Sequence, residues 1–135
     1  MKAMTFAVAL ALAASLTLAA GEQPGQPAFT AAQVSAGQAS YQANCASCHL
    51  ADLAGQNEAP QLAGPNFFRT WRDRTTRDLI DYMSATMPPG RPSLGSDAYV
   101  NLAAFIMQRN GGAAGNEPLR ASAAVPIGSI ATGVA

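Results

Sequence analysis

A chain of 135 residues fits one domain, and its 8 basic and 8 acidic residues leave it formally neutral. Charged residues make up 12% of the chain, about half the ~25% of an average domain, so no basic face is on offer for nucleic acid. A chain this small buries only a modest core of its own.

Residues 1–20 read as a secretory signal. Lys2 gives a minimal positive start, Ala3 to Ala20 is apolar, uncharged and rich in alanine, and Ala19-Ala20-Gly21 supplies small residues before the polar Glu22-Gln23-Pro24. The run lies near the ~18-residue lower limit of a membrane span, but alanine makes it weakly apolar. Cleavage after Ala19 or Ala20 is therefore expected, with no stable membrane insertion afterwards. Export puts the cysteines in an oxidising compartment, which the reading places in a bacterial periplasm. Loss of the signal removes the one lysine and leaves seven arginines against eight acids.

Residues 21–30 form a Pro- and Gly-rich lead, and residues 31–111 form the domain. Thr30 is the expected N-cap of a first helix running up to Cys45. Val34, Gly37 and Tyr41 recur at i, i+3 and i+7 on its apolar face. Gly37 is a poor helix former, and its expected use on that face is to let another helix come close.

The next stretch, Cys45-Ala46-Ser47-Cys48-His49, carries the chemistry. Both cysteines of the chain and its one histidine lie within these five residues. C-x-x-C-H is the attachment pattern of a c-type haem. On one helical turn the positions i, i+3 and i+4 share a face, so two thiols reach two porphyrin vinyl groups while the imidazole reaches the iron. A structural zinc site wants four Cys/His ligands, which this chain lacks. A redox dithiol wants a βαβ context that is absent here, and a plain disulfide has no use for His49. One covalent haem c is the expected cofactor.

Residues 50–75 show no sustained periodicity and are punctuated by Gly55, Pro60, Gly64 and Pro65. A loop this long is expected to wrap something, and a haem suffices. The acceptor for the second ring N–H of His49 is expected in the loop just after it.

Thr75-Thr76 opens a further helix, with Asp78 in its first turn and Leu79, Ile80 and Met83 facing inward. Pro88-Pro89 ends it at Thr86 or Met87. After the turn-rich Gly90 to Gly95, a last helix runs from Ser96 to about Asn110, with Tyr99, Leu102 and Ile106 in register and Ala103 and Phe105 beside them. Asn110-Gly111-Gly112 stops it. No strand is expected. Residues 112–135 read as an Ala/Gly-rich tail outside the core, whether laid along the domain, bound to a partner or disordered.

Iron needs a second axial ligand, and Met83, Met87 and Met107 are the methionines beyond the signal. Met83 and Met107 sit in helical register and read as packing. Met87 precedes a proline, which forces extended backbone, so its thioether leaves a stiffened loop. Met87 is the favoured ligand, with Met83 or an open site as the alternatives. Trp71 and Arg91 are candidates for binding the haem propionates. Arg69, Arg72, Arg74 and Arg77, interleaved with Asp73, Asp78 and Asp81, read as a solvated face. His/Met ligation fills both axial positions and suits one-electron transfer. A peroxidase-like enzyme or gas sensor needs the sixth position open.

With these residues on the page, the chain over about 31–111 resembles a class I monohaem cytochrome c. The likeness rests on Gly37 and Tyr41 before the Cys45–His49 motif, Pro60 and Gly64 after it, Met87-Pro88, and Tyr99 through Ile106. The resemblance implies an all-α fold of short helices around one covalent haem, with the first and last helices crossing at Gly37. It also implies that the carbonyl of Pro60 accepts the N–H of His49. A narrower similarity, on Trp71-Arg72-Asp73-Arg74, Asp78-Leu79, Thr86 to Gly90 and Asn110-Gly111-Gly112, is to cytochrome subunits of pyrroloquinoline quinone-dependent dehydrogenases. It implies an electron carrier, not itself an enzyme, with redox protein partners: a dehydrogenase donor and an oxidase or other cytochrome acceptor. A cytochrome subunit docked permanently on such a dehydrogenase is the remaining alternative.

Overall fold

A computed structural model describes residues 27–91 and 93–134. The expected signal, residues 1–20, and the lead through residue 26 lie outside them. In chain order the helices are α1 (Ala31–Asn44), α2 (Ala46–His49), α3 (Pro65–Trp71), α4 (Thr76–Thr86), α5 (Ser96–Arg109) and α6 (Ile127–Ile130). Among the described residues strand pairing is limited to isolated bridges, so the domain is all-α, as expected.

Two of the helices start on the same device. Thr30 Oγ1 accepts the Gln33 N–H at 3.3 Å while Gln33 Oε1 accepts the Thr30 N–H at 3.1 Å, a capping box that satisfies two orphan donors. Thr75 and Asp78 repeat it on α4. The N–H and hydroxyl of Thr75 both donate to the Asp78 carboxylate at 2.8 Å and hold its pKa below the ordinary value.

The centre of the molecule is α5, where every residue from Leu102 to Met107 is buried. α1 crosses it at Gly37, where a Cβ would run into the carbonyl of Asn101 and the Cβ of Phe105. No other residue allows that approach. One turn on, the Tyr41 and Phe105 rings meet at 5.3 Å, tilted by 49°. α4 lays Leu79, Ile80 and Met83 into the same core.

Two expectations need correction. Residues 50–75 are not loop throughout, because α3 forms with Pro65 in its first turn, where a missing N–H costs nothing. Nor is the expected 112–135 tail outside the core over its described residues, 112–134: Leu119, Ile127, Ile130 and Ala131 are all buried. The segment is a strap. Gln33 brackets it by accepting the Leu119 N–H and donating to the Leu119 carbonyl, both at 2.9 Å. Thr76, fully buried, donates its hydroxyl to Ala123 at 2.6 Å and its N–H to Val125 at 2.9 Å. The N–H groups of Ile127 and Gly128 then donate to the carbonyls of Arg74 and Arg72 at 2.9 and 3.0 Å. Apolar anchors set far apart are held in place by backbone pairing.

Candidate functional site

α1 ends at Cys45, whose N–H donates to Tyr41, and the Cys45 carbonyl accepts the N–H groups of Cys48 and His49 at 3.1 and 2.9 Å. The motif is thus one closed helical turn. Cys45 is half-buried and Cys48 exposed, and both thiols are free. Burial, then the neighbouring Cys48, pushes the Cys45 thiol up. Leu50 adopts a positive φ of 63° and turns the chain away. The Tyr41 hydroxyl fixes that corner by donating to the Leu50 carbonyl at 2.6 Å. Burial holds the Tyr41 phenol well above its ordinary range, so it stays a donor.

His49 is buried, and its Nδ1 lies 2.8 Å from the Pro60 carbonyl. A carbonyl only accepts, so Nδ1 carries the hydrogen, and in the neutral imidazole it is Nε2 that keeps the lone pair a metal would take. Nε2 takes no hydrogen bond among the described residues. The loop that delivers Pro60 is closed tightly by Gly55, whose N–H donates to the His49 carbonyl at 3.0 Å. Gly55 has φ +73°, and a Cβ there would strike the backbone of Ala59 and Pro60.

Met87 caps α4 in extended backbone (φ −127°, ψ 142°) and is half-buried. Its carbonyl accepts the hydroxyl of Tyr99 at 2.6 Å. Met83 and Met107 are packed in the hydrophobic core. Trp71 is half-buried at the end of α3, with Phe67 at 6.2 Å, the edge of Tyr82 at 5.5 Å and the Arg74 guanidinium over its ring at 5.2 Å. Arg91 is exposed in the turn after Pro88-Pro89. The structure therefore brings Cys45, Cys48, His49 and Pro60 together. No hydrogen bond or ion pair links Met87, Trp71 or Arg91 to them.

Sequence reasoning missed the hydroxyls of Tyr41 and Tyr99, since both tyrosines appear as apolar beats of a helix. It also missed Asn110, read only as a helix stop. Asn110 is fully buried; its side chain accepts the Gly64 N–H at 2.9 Å and donates to Leu62 at 2.9 Å and Ile106 at 2.8 Å. Its carbonyl takes the N–H groups of Thr132 and Gly133. One side chain and its backbone tie together the loop after Pro60, the end of α5 and the strap.

The donor set fits haem c. Two free thiols share one turn, and an imidazole beside them has its tautomer fixed by a carbonyl, as metal-bound histidines require. The exposed arginine–aspartate pairs, Arg72 with Asp73 at 3.5 Å and Arg77 with Asp81 at 3.6 Å, are a solvated face.

No curated protein sequence matches the chain. Among solved structures, the sulfane dehydrogenase SoxCD from Paracoccus pantotrophus is similar at 27% identity over 58% of this chain and 43% of that one, with a TM-score of 0.47. The chain thus spans less than half the length of that relative. The family model described as cytochrome c oxidase, cbb3-type, subunit III matches residues 32–106, which is more than half of the chain and takes in the motif, its Pro60 loop and Met87. On that match and on its all-α fold, the chain belongs to this family of cytochrome c domains, in which a covalent haem c and electron transfer between redox proteins are implied.

Proposed function

We propose that the chain carries single electrons in the periplasm on one haem c held by Cys45, Cys48, His49 and Met87. The observation that carries this reading is the Nδ1 of His49 held at 2.8 Å by Pro60, beside two free thiols on the same turn. Cys45 and Cys48 would hold the haem as thioethers, each thiol supplying both the sulfur and the hydrogen, so that no oxidant or leaving group would be needed. His49, through Nε2, and Met87, through its thioether, would hold the iron, and with both in place oxygen or peroxide would find no open position. Bound there, the haem supplies an iron that changes oxidation state by one electron. Trp71 and Arg91 supply N–H donors for the propionates. The donor is a dehydrogenase, a quinoprotein among the candidates, and the acceptor an oxidase or another cytochrome. Residues 1–20 direct export.

A second reading, a subunit docked permanently in an oxidoreductase complex, is favoured by the family description, which is that of an oxidase subunit. Co-purification with a larger chain separates the two.

The test is direct. Intact mass of the exported protein is expected to exceed the chain by one haem and to survive acid–organic extraction; release of free haem overturns the covalent attachment. Met87→Ala is expected to open the iron to cyanide and lower the potential. Met83→Ala is expected to weaken packing by about 2–5 kcal/mol and leave ligation intact. The reverse pattern reassigns the thioether.

A further inference from the structure

Tyr99 is 1% exposed on α5, yet its hydroxyl is spent outside the core. It donates to the Met87 carbonyl at 2.6 Å and accepts the Leu94 N–H at 3.3 Å. A single oxygen thus closes both ends of the turn from Met87 to Leu94. Among its described residues that turn has few other hydrogen bonds to hold it. Pro88, Pro89 and Pro92 have no N–H to give, and within it the described backbone bond is Arg91 to Pro88 at 3.3 Å. A Cβ built on Gly90 would meet nothing within 4 Å. Among its described residues the turn is stiff at Pro88 and Pro89 and has few other hydrogen bonds to the rest of the fold.

We infer that Tyr99 is a positioning residue for the Met87 thioether, its hydroxyl pinning the Met87 turn onto α5. This rests on Met87 being the second iron ligand. Both bonds persist only while the turn lies down on the helix, so they bias the turn toward the position from which the sulfur is presented. The phenol ring supplies packing; the oxygen supplies the position. Without the oxygen, the Met87 carbonyl and the Leu94 N–H must find water, which favours a lifted turn.

The experiment compares ferric haem-loaded proteins by cyanide binding at saturating cyanide, where the rate is limited by departure of the thioether. Tyr99→Phe keeps the ring and removes the oxygen. It is expected to raise the limiting rate about tenfold, the worth of one such hydrogen bond, with an unchanged haem content per chain. Thr76→Val removes a hydroxyl–carbonyl bond of the same 2.6 Å length at the far end of α4. It serves as the control for general loosening, with a change expected below about twofold. Met87→Ala is expected to bind cyanide with no opening step. If Met87→Ala is open and Tyr99→Phe behaves like Thr76→Val, the pinning role falls and the ligation stands. If Met87→Ala keeps the original limiting rate, the ligation falls, and the role of Tyr99 with it.

Discussion

At Gly37 two ordinary preferences oppose each other. Alanine is favoured over glycine in a helix interior by about 1 kcal/mol, so a substitution there would help an isolated α1. In the folded chain the added Cβ meets the Asn101 carbonyl and the Phe105 Cβ, and neither can move without shifting α5. Overpacking of this kind costs about 1–3 kcal/mol and more when backbone is the obstacle. The clash wins. Gly37→Ala is expected to lower stability by about 2 kcal/mol or more, read as a fall in the denaturant midpoint of the haem-loaded protein. A neutral or stabilising result would mean that the two helices slide apart at little cost. The motif and the crossing residue were both legible in the sequence because each is defined by residue type at fixed spacing. The hydroxyl bonds of Tyr41 and Tyr99 were not, because a tyrosine on an apolar helical face gives no sign of which carbonyl its tip will meet.

The same distinction holds for whole elements. α1, α4 and α5 announce themselves by caps and by apolar residues recurring through three or four turns, and their bounds followed from Thr30, Thr75 and Pro88. α3 has seven residues, which is too short for a period to show. Its signal was Pro65 after Gly64, read as loop punctuation although proline is equally at home in a helix's first turn. The strap escaped for a different reason. Leu119, Ile127 and Ile130 are isolated among small residues, so no periodicity marks them, and the strap's hydrogen-bond partners lie on α1, α4 and the Arg72–Arg74 corner. Their contribution is testable. Ile127 is fully buried, so Ile127→Ala is expected to cost about 2–5 kcal/mol by lost transfer and residual cavity, a large part of the ~5–15 kcal/mol of a typical domain. A denaturation midpoint within error of the parent would show that the strap lies on the domain without stabilising it.

For the whole molecule, the question is how a nearly neutral protein finds its redox partners. Without the proposed signal, residues 1–20, the remaining sequence has no lysine and seven arginines against eight acids. Of these, Arg72 and Arg77 already lie beside Asp73 and Asp81. The segments expected at the haem edge, Ala46-Ser47 and Met87 to Gly90, carry no charge, and Ser47, Cys48, Pro89 and Gly90 are exposed. On this charge distribution, encounter is expected to rest on apolar contact over a small transient patch, below ~1,200 Å² in total. Charge-steered association falls steeply as salt screens it over a Debye length of ~8–10 Å, whereas unsteered association does not. The second-order rate of electron transfer from the natural reductant is therefore expected to change by no more than about threefold between low and physiological salt. Stopped-flow mixing with the purified reductant across a salt series measures it. A fall of about tenfold or more would show that arginines such as Arg69, Arg72 or Arg91, or the haem propionates, set up a docking field, and the apolar account of partner recognition would have to be abandoned.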